Sequence, residues 1–577
     1  MYLFIIFLIY FITSPHTIQY GDVSELVANS YKLLVSHPPG YPLMHLIFKP
    51  FLNIVDQQHV FRMASGVNVL IAMLNLLIIQ KIINIKDSCL KISIISNIAF
   101  ISIFWKYAIF PDVFMLNIFF AIIILYYFYN SLKIKNNFLL IIIGLSSSHH
   151  QTIVFLYPVF LYLRLKNEIT NRVLIKIIAI GVLGLTVYLS LFFFHPESPE
   201  SWGNISSFKN LKDHFLRKEY GTFKLIADNK NYDLIHSLKS FIYFFGESLF
   251  PILIITIFNL FKKNEFSITD KDKFIGGLIL VYILVFFTLS GSGKGIFYNM
   301  IIERFYLFPI ILSYIILVRV NNWSKQRNIK LLILLVSILL SLNLNYEKNN
   351  YSNNTIIQDY FIKNLKSLPL NSTLYVTGDT DTFGYRYIQI ILNIRPDITI
   401  YNPHSFNSDY RKKISGLISS QDSLVKEFKY LIDNNKLFTN NPNLFFKFGT
   451  GAIYLNAFAQ ITNNKQLVFK CSEKDYIKYE TRKLTYSFSI LYLLNQFDCD
   501  FLWGLSELRE KRYLEASKIF EKIIRYAPYH LKVLERLCYT YSFIDQIKKV
   551  KCDQSFFNIS KEMKTDVWFE LIGKVEN

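Results

Sequence analysis

A polytopic α-helical membrane protein with a soluble C-terminal part is the fold class this chain predicts, and three observations predict it. The 577 residues are 52% hydrophobic and 17% aromatic, with only 18% charged. Up to about residue 345 the apolar residues come in blocks of roughly 20, the length that crosses a bilayer core, whereas residues 346–577 read as ordinary mixed sequence. The basic residues, which give a net charge of +20, fall mainly in the gaps between the blocks. There they serve as topology signals beside anionic lipid, so the charge implies no nucleic acid partner.

About eleven spans follow from the apolar blocks: 2–14, 62–80, 92–108, 112–130, 138–147, 151–163, 175–194, 241–260, 274–290, 300–318 and 331–345. The first has no basic n-region and no small-residue cleavage site, which predicts a retained span and not a signal peptide.

Orientation is read from the loops. Alternate loops carry Lys81, Lys86 and Lys91; Lys133 and Lys135; Arg164, Lys166, Arg172 and Lys176; Lys262, Lys263, Lys271 and Lys273; and Arg319, Lys325, Arg327 and Lys330. The positive-inside rule puts these in the cytoplasm. Residues 15–61, the Phe110–Asp112 turn, 146–151, 195–240 and the C-terminal part then lie outside. The 195–240 loop objects, with Lys209, Lys212, Arg217, Lys218, Lys224, Lys230 and Lys239. Parity leaves it no other side, so its charges need another employment.

With sidedness set, the polar residues can be weighed. Asp22 and Glu25 stand three apart on the first outside loop, on one face of a helix that starts near Asp22. Alone they would read as a helix-capping pair. Asp112 begins a span at the same face, where an acid is costly unless it caps, pairs or works. His149 and His150 occupy a very short outside turn, and Arg304 lies just inside the outer end of a span. Gathered on one leaflet, these residues suit a transfer reaction: a carboxylate takes the proton of an acceptor hydroxyl, while an arginine and histidines steady the charge on a phosphate leaving group. No nucleotide-binding fold is visible, so the donor would be a lipid carrier. "GSGKG" at 291–295 lacks the phosphate-loop spacing and reads as a tight turn.

On these residues a family resemblance appears. "GDVSELVANSYKLLVSHPPGYPL" from Gly21, "FPDVFMLN" from Phe110, "GLSSSHHQTIVFLYP" from Gly144, "SWGNISSFKNLKDHFLRKEYG" from Ser201 and "GDTDTFGYRYIQIILNIRPDITIYN" from Gly378 resemble successive motifs of the membrane O-mannosyltransferase-like family. That family is a branch of the C-type (GT-C) glycosyltransferases, and the likeness runs from the first span to about residue 402. The family usually reads Asp-Ser-Gly-Glu where this chain has Asp22-Val23-Ser24-Glu25, and Glu where Asp112 stands. Both carboxylate positions survive. The resemblance implies transfer of a sugar, mannose in eukaryotic members, from a polyprenyl-phosphate carrier to a protein hydroxyl. It makes Asp22 the base, Glu25 its neighbour and Asp112 the third acid of the site. It makes His37, His149, His150, Trp202, Arg217, Tyr220 and Arg304 the donor-phosphate or substrate set, with the 195–240 loop and its Glu219 as an outside lid. No metal ligand set is expected. The implied partners are the lipid-linked sugar, an acceptor protein and membrane lipid.

The domains expected are 1–345 for the GT-C-like membrane part, 346–485 for an extracytoplasmic α/β domain and 486–577 for a helical tail. Strand-like "TLYVTGDT" and "PDITIYN" flank a helical "YRYIQIIL", an α/β pattern. "GDTDTF" reads as a strand-end turn, with a metal or sugar site as the alternative. In the tail, Ala516, Phe520 and Pro528 fall at tetratricopeptide-like (TPR-like) offsets. Cys89, Cys471, Cys499, Cys538 and Cys552 show no zinc spacing. Free buried thiols are expected, a Cys538–Cys552 bridge being the alternative on an oxidising side. A transporter or lipid flippase is the second function class. It should carry midplane charges and internal repeats, and neither is seen. The membrane is a bacterial inner membrane or the endoplasmic reticulum, since sidedness is equivalent in both.

Overall fold

The computed structural model describes residues 1–130, 137–196, 198, 200–203, 205–220, 234–262, 266–289, 296–401, 430–440, 451–455, 458–464, 466–471, 496–528 and 530–562. The "GSGKG" turn, Lys224 and Lys230 lie outside them. The chain divides into two compact units: Met1–His16 with Leu26–Asn353, and Thr17–Glu25 with Asn354–Asn577. The expected break after residue 345 thus falls a few residues later, and the acidic opening segment goes with the second unit.

The helices up to Asn353 are α1 (Tyr2–Thr13), α2 (Val23–Lys32), α3 (Pro42–Leu52), α4 (Val60–Ile83), α5 (Ser88–Ala99), α6 (Ser102–Ile109), α7 (Val113–Asn130), α8 (Asn137–Ser147), α9 (Pro158–Leu165), α10 (Asn171–Gly184), α11 (Phe208–Phe215), α12 (Leu234–Phe261), α13 (Asp270–Leu289), α14 (Ile296–Val320) and α15 (Arg327–Asn349). Among the described residues, five stretches are long and apolar enough to cross a membrane: Gln57–Ile83, Val113–Asn130, Asn171–Phe193, Leu238–Phe261 and Arg327–Asn349. The pair α5 and α6, bent by 70°, makes a sixth. Three blocks that were already short in the sequence, beginning at residues 2, 138 and 151, form shorter apolar helices, and six long spans are counted among the described residues where the sequence suggested about eleven of all lengths. Burial separates inner from outer helices. In the α7 stretch 72% of the apolar window is buried, against 11% in Asn171–Phe193, whose Ile175, Ile178, Val182 and Leu183 point outward. Such a continuous apolar exterior is what lipid covers. The protein is an integral membrane protein.

A broken helix inside a bilayer frees backbone carbonyls that no water can reach, and each must find a donor. Buried asparagines supply them. At the α5–α6 bend the Asn345 amide donates to the Phe100 carbonyl at 3.1 Å. Asn68 of α4 donates to the carbonyls of Tyr107, Ala108 and Phe110 at 2.6, 3.1 and 2.6 Å, closing the end of α6. Asn75 meets the Met115 carbonyl and Asn97 the Leu334 carbonyl. The Phe110–Asp112 turn is therefore fixed from within the helix bundle.

The turn holding His149 and His150 depends on a close helix pair. Helices α8 and α10 meet at glycines: a Cβ on Gly184 would lie 1.9 Å from the Gly144 carbonyl oxygen. Backbone cannot yield as a flexible side chain would. Gly184→Val is expected to destabilise the membrane unit by the upper end of the ~1–3 kcal/mol that overpacking costs, or more. Gly181→Ala, whose Cβ would meet Ser147 Oγ at 3.4 Å, is expected to be tolerated. Comparison of thermal melting in detergent checks both.

The second unit contains α16 (Ile356–Ser367), α17 (Asp379–Ile390) and a six-stranded sheet of β1 (Thr373–Tyr375), β2 (Thr399–Tyr401), β3 (Leu437–Thr439), β4 (Gly451–Tyr454), β5 (Ala459–Thr462) and β6 (Leu467–Phe469), in the order β2-β1-β3-β5-β4-β6. β1 runs parallel to both β2 and β3, and β3–β5 and β4–β5 are antiparallel. Helices α18 (Asp498–Arg509), α19 (Tyr513–Tyr526), α20 (Leu531–Tyr541) and α21 (Gln546–Glu562) follow, each packed on the next. Ala516 and Phe520 are fully buried in their core, and Gly504 admits the Phe520 ring where a Cβ would come within 2.4 Å of it.

The cysteines correct the sequence reading. Cys538 and Cys552 form a disulfide, and Cys471 and Cys499 form a second that the spacing had not suggested. Only Cys89, exposed, remains as a free thiol. The reason is positional: the Cys538–Cys552 pair lies where α20 and α21 pack, and the second links the end of β6 to the first turn of α18, far apart in sequence and adjacent in the fold.

Candidate active site

The first unit builds its polar site around the His37–Pro38–Pro39–Gly40 turn between α2 and α3. A buried relay anchors the turn. Ser30 Oγ donates to the Leu26 carbonyl at 2.6 Å, so it accepts from His45 Nδ1–H at 2.8 Å. His45 Nε2 then accepts from the Ser36 hydroxyl at 2.9 Å, and Ser36 accepts from the Asn29 amide at 2.9 Å. Burial pushes the His45 imidazole down to about 3, so the ring is neutral and its tautomer is set by its neighbours. His214 of α11, also pushed down to about 3 by burial, donates Nε2–H to the Ser36 carbonyl at 3.0 Å. Gly40, at φ +99°, faces that ring: a Cβ there would stand 3.1 Å from His214 Nε2.

The same stretch is zipped to the 195–220 part of the loop that follows. Trp202 N–H donates to the Val35 carbonyl at 2.8 Å, and Ser201 Oγ accepts from Val35 N–H at 3.1 Å. The Trp202 indole donates to Glu219 at 2.8 Å and stacks on Tyr220, over which the Arg217 guanidinium lies at 5.3 Å.

From this loop a row of rings runs inward. His37 meets Tyr41 edge-on at 5.3 Å and Trp202 at 6.1 Å, and Tyr41 stacks on His150 at 6.1 Å. His150 then packs against Phe114 at 5.2 Å and Phe305 at 6.5 Å, while Arg304 stands 5.8 Å from both of those rings. His150 is held well below its ordinary range, first by burial and then by the positive surroundings of His149, Arg217, Arg304 and His37. Its Nδ1 accepts from Thr152 N–H, which leaves the ring proton on Nε2. It is thus a neutral hydrogen-bond donor in a cationic neighbourhood.

Beside His150 and Arg217 opens a cavity of about 840 Å³, within the range of small-molecule sites. Gln151, Ser147 and Tyr157 add polar groups to its wall; the rest is apolar, with Ile153, Phe155, Leu161, Ile178, Phe286 and others. A long hydrocarbon fits such a wall, and an anion fits the arginine and the imidazole donor.

Of the residues singled out in the sequence, the fold gathers His37, His150, Trp202, Arg217, Tyr220 and Arg304 into this one region. Asp112 heads α7, accepting from Val113 N–H at 2.6 Å, two residues before Phe114. His149 turns elsewhere: it donates to the Val113 carbonyl at 2.8 Å, packs on Phe120, and burial pushes it down to about 4. Asp22 and Glu25 are carried by the second unit, Asp22 just before α2 and Glu25 in its first turn. Sequence reasoning passed over Tyr41, which links His37 to His150. It also passed over the Lys106–Glu303 ion pair, to which the Tyr107 hydroxyl adds a bond at 3.2 Å. The signal was present, a lysine and a glutamate inside apolar blocks, where a lone charge is expensive.

Residues 22–172 match the Protein O-mannosyl-transferase TMEM260 N-terminal domain. Two relatives named protein O-mannosyl-transferase TMEM260 are each 24% identical to 68% of this chain, one from Dictyostelium discoideum over 458 residues and one from Mus musculus over 443. The chain spans 55% and 60% of their lengths. In three dimensions, the solved structure of ArnT from Cupriavidus metallidurans in the apo state aligns with 80% of this chain and 97% of its own, at a TM-score of 0.50 and 10% identity. That likeness bears on the fold alone, a helical membrane architecture. Residues 22–172 are thus similar to the N-terminal domain of the membrane O-mannosyltransferase-like family to which the opening motifs pointed.

Proposed function

We propose that the protein moves a sugar, mannose by the name its relatives carry, from a polyprenyl-phosphate carrier to a protein hydroxyl on the extracytoplasmic face. The observation that carries this reading is the apolar cavity of about 840 Å³ that ends at His150 and Arg217. Its wall suits a polyprenyl chain, and Arg217, the His150 donor and nearby Arg304 suit the carrier phosphate. In the reaction, an acceptor oxygen forms the bond to the anomeric carbon as the bond from that carbon to the phosphate oxygen breaks. The acceptor proton passes to a carboxylate, Asp22 in this reading, with Glu25 and Asp112 as the other acids. The arginines hold the charge that stays on the phosphate. The two disulfides favour an oxidising compartment for the second unit, which supports the extracytoplasmic placement. The TPR-like spacing in α18–α21 suits gripping a protein acceptor. The flippase reading has less support, since the charges cluster with rings and a lid loop.

The test is incubation of the purified protein with labelled polyprenyl-phosphate mannose and a secreted-protein extract, followed by mass spectrometry of the acceptors. Hexose on serine or threonine is the expected result. Movement of the lipid between leaflets with no sugar transferred would favour the flippase.

A further inference from the structure

The α/β sheet holds the segment that carries the candidate base. From β1 the chain passes through α17 to β2 on one side, while β3 lies parallel on the other side of β1. The strand order therefore reverses at β1. The crevice beyond the carboxyl ends of β1 and β3 is a topological switch point, where open α/β sheets take their ligands.

The GDTDTF segment leaves β1 at this point; it is not the strand-end turn the sequence suggested, since Asp379–Phe383 begin α17 behind Gly378, and Asn440 follows β3 directly. Thr377 N–H donates to Asn440 Oδ1 at 3.1 Å, and Asn440 Nδ2 donates back to the Thr377 carbonyl at 3.3 Å. Beyond the last parallel pair, Tyr375 with Thr439, this side-chain exchange ties the approach to α17 to the end of β3. At its far side Thr380 Oγ1 accepts from Gly21 N–H at 3.0 Å. A stretch of the chain's own N-terminal region is thus tied at the place where such sheets receive a ligand. Behind Gly21 the hold is denser. Thr17 Oγ1 donates to the Asn354 carbonyl at 2.8 Å; Asn354 Nδ2 donates to Gln19 Oε1 at 2.8 Å; and Gln19 Nε2 donates to the Asn354 carbonyl at 3.1 Å. Gln19 and Asn354 are both buried, where a lost partner is costly. In front, Ser24 Oγ donates to the Gln19 carbonyl at 3.2 Å. Gly21 itself sits at φ +77°, a backbone conformation that L side chains seldom adopt. The residue that follows it is Asp22.

We infer that Thr380, backed by the Gln19–Asn354 pair, is a positioning residue that sets the Asp22 carboxylate for proton transfer, so that the α/β domain contributes to turnover. The inference rests on the transferase reading above. A general base works only within hydrogen-bond reach of its proton, and a misplacement of about 1 Å can cost roughly 100-fold in rate. A clamp on the residue before Asp22 is therefore felt in turnover and not in the affinity of the carrier.

The test compares Thr380→Val, Thr380→Ser and Asp22→Asn in the full-length protein, with kcat, donor KM and melting temperature measured for each. Thr380→Val keeps the shape and removes the acceptor of Gly21 N–H. It is expected to lower kcat about 10- to 100-fold with donor KM and melting temperature unchanged, and Thr380→Ser is expected to restore kcat. Wild-type kcat in Thr380→Val, while Asp22→Asn is inactive, overturns the positioning role alone. So does a fall in kcat that tracks a fall in melting temperature and is not rescued by Thr380→Ser. Normal transfer by Asp22→Asn overturns the underlying choice of base, whatever Thr380 does.

Discussion

Asp22→Asn is expected to lower sugar transfer roughly 100- to 10,000-fold, the range lost with a general base, while carrier binding stays as it was. Asparagine keeps the size of the side chain and much of its hydrogen bonding but cannot accept the acceptor's proton. Single-turnover transfer measured beside carrier binding separates the two effects. A well-folded Asp22→Asn protein with near-normal transfer would take Asp22 out of the mechanism and leave Glu25 or Asp112 as the base. Donor hydrolysis without an acceptor gives a second readout, because water at the same carbon needs the same proton acceptor.

Arg217→Ala is expected to act on the donor instead, weakening carrier binding about 10- to 100-fold, the worth of hydrogen bonds to a charged group. Arg217 lines the cavity beside His150, and its Nε is buried with no hydrogen-bond partner among the described residues. Its backbone is held at φ +52° directly after α11, where a side chain other than glycine is disfavoured. Such strain persists only where surrounding structure enforces it, here through Arg217 N–H on the His214 carbonyl and the Tyr220 ring beneath the guanidinium. A carrier phosphate would satisfy the buried donor in both ground and transition states, so KM should rise and kcat/KM fall by the same factor, with kcat unchanged. Arg217→Lys keeps the charge but not the planar fork and should recover only part of the loss. Equilibrium binding of polyprenyl phosphate to the three proteins decides it; unchanged binding in Arg217→Ala would reduce the residue to a prop for Tyr220.

The membrane class and the presence of a second unit after the apolar blocks were legible because hydropathy reports directly on the solvent each segment faces. Span count was less so. Apolar composition cannot tell one straight helix from two that bend at Phe100–Ile101, nor from the short pieces on either side of His149 and His150; the difference lies in buried asparagines many residues away. His149 and His150 are adjacent in sequence and looked equivalent, but the turn sends one to a backbone carbonyl and the other to the row of rings. Pairing of Cys471 with Cys499 was invisible because spacing carries no information about a contact made by the sheet. Placement of Asp22 with the α/β domain was equally hidden: nothing in the sequence announces that Gly21 bonds Thr380 or that Thr17 bonds Asn354.

The Cys471–Cys499 bridge has a practical corollary for handling the molecule. Any protease cut between those two cysteines leaves the four-helix tail attached through sulfur, so an oxidised sample nicked there migrates as one piece until a reductant is added. By loop-closure entropy the bridge of separation 28 and its partner of separation 14 are each worth about 3 kcal/mol. A chain synthesised where thiols stay reduced forgoes both, and its C-terminal helices become the first part to fray during purification. The choice of expression host, made before any assay begins, thus decides how much of the tail is folded when the protein is first studied.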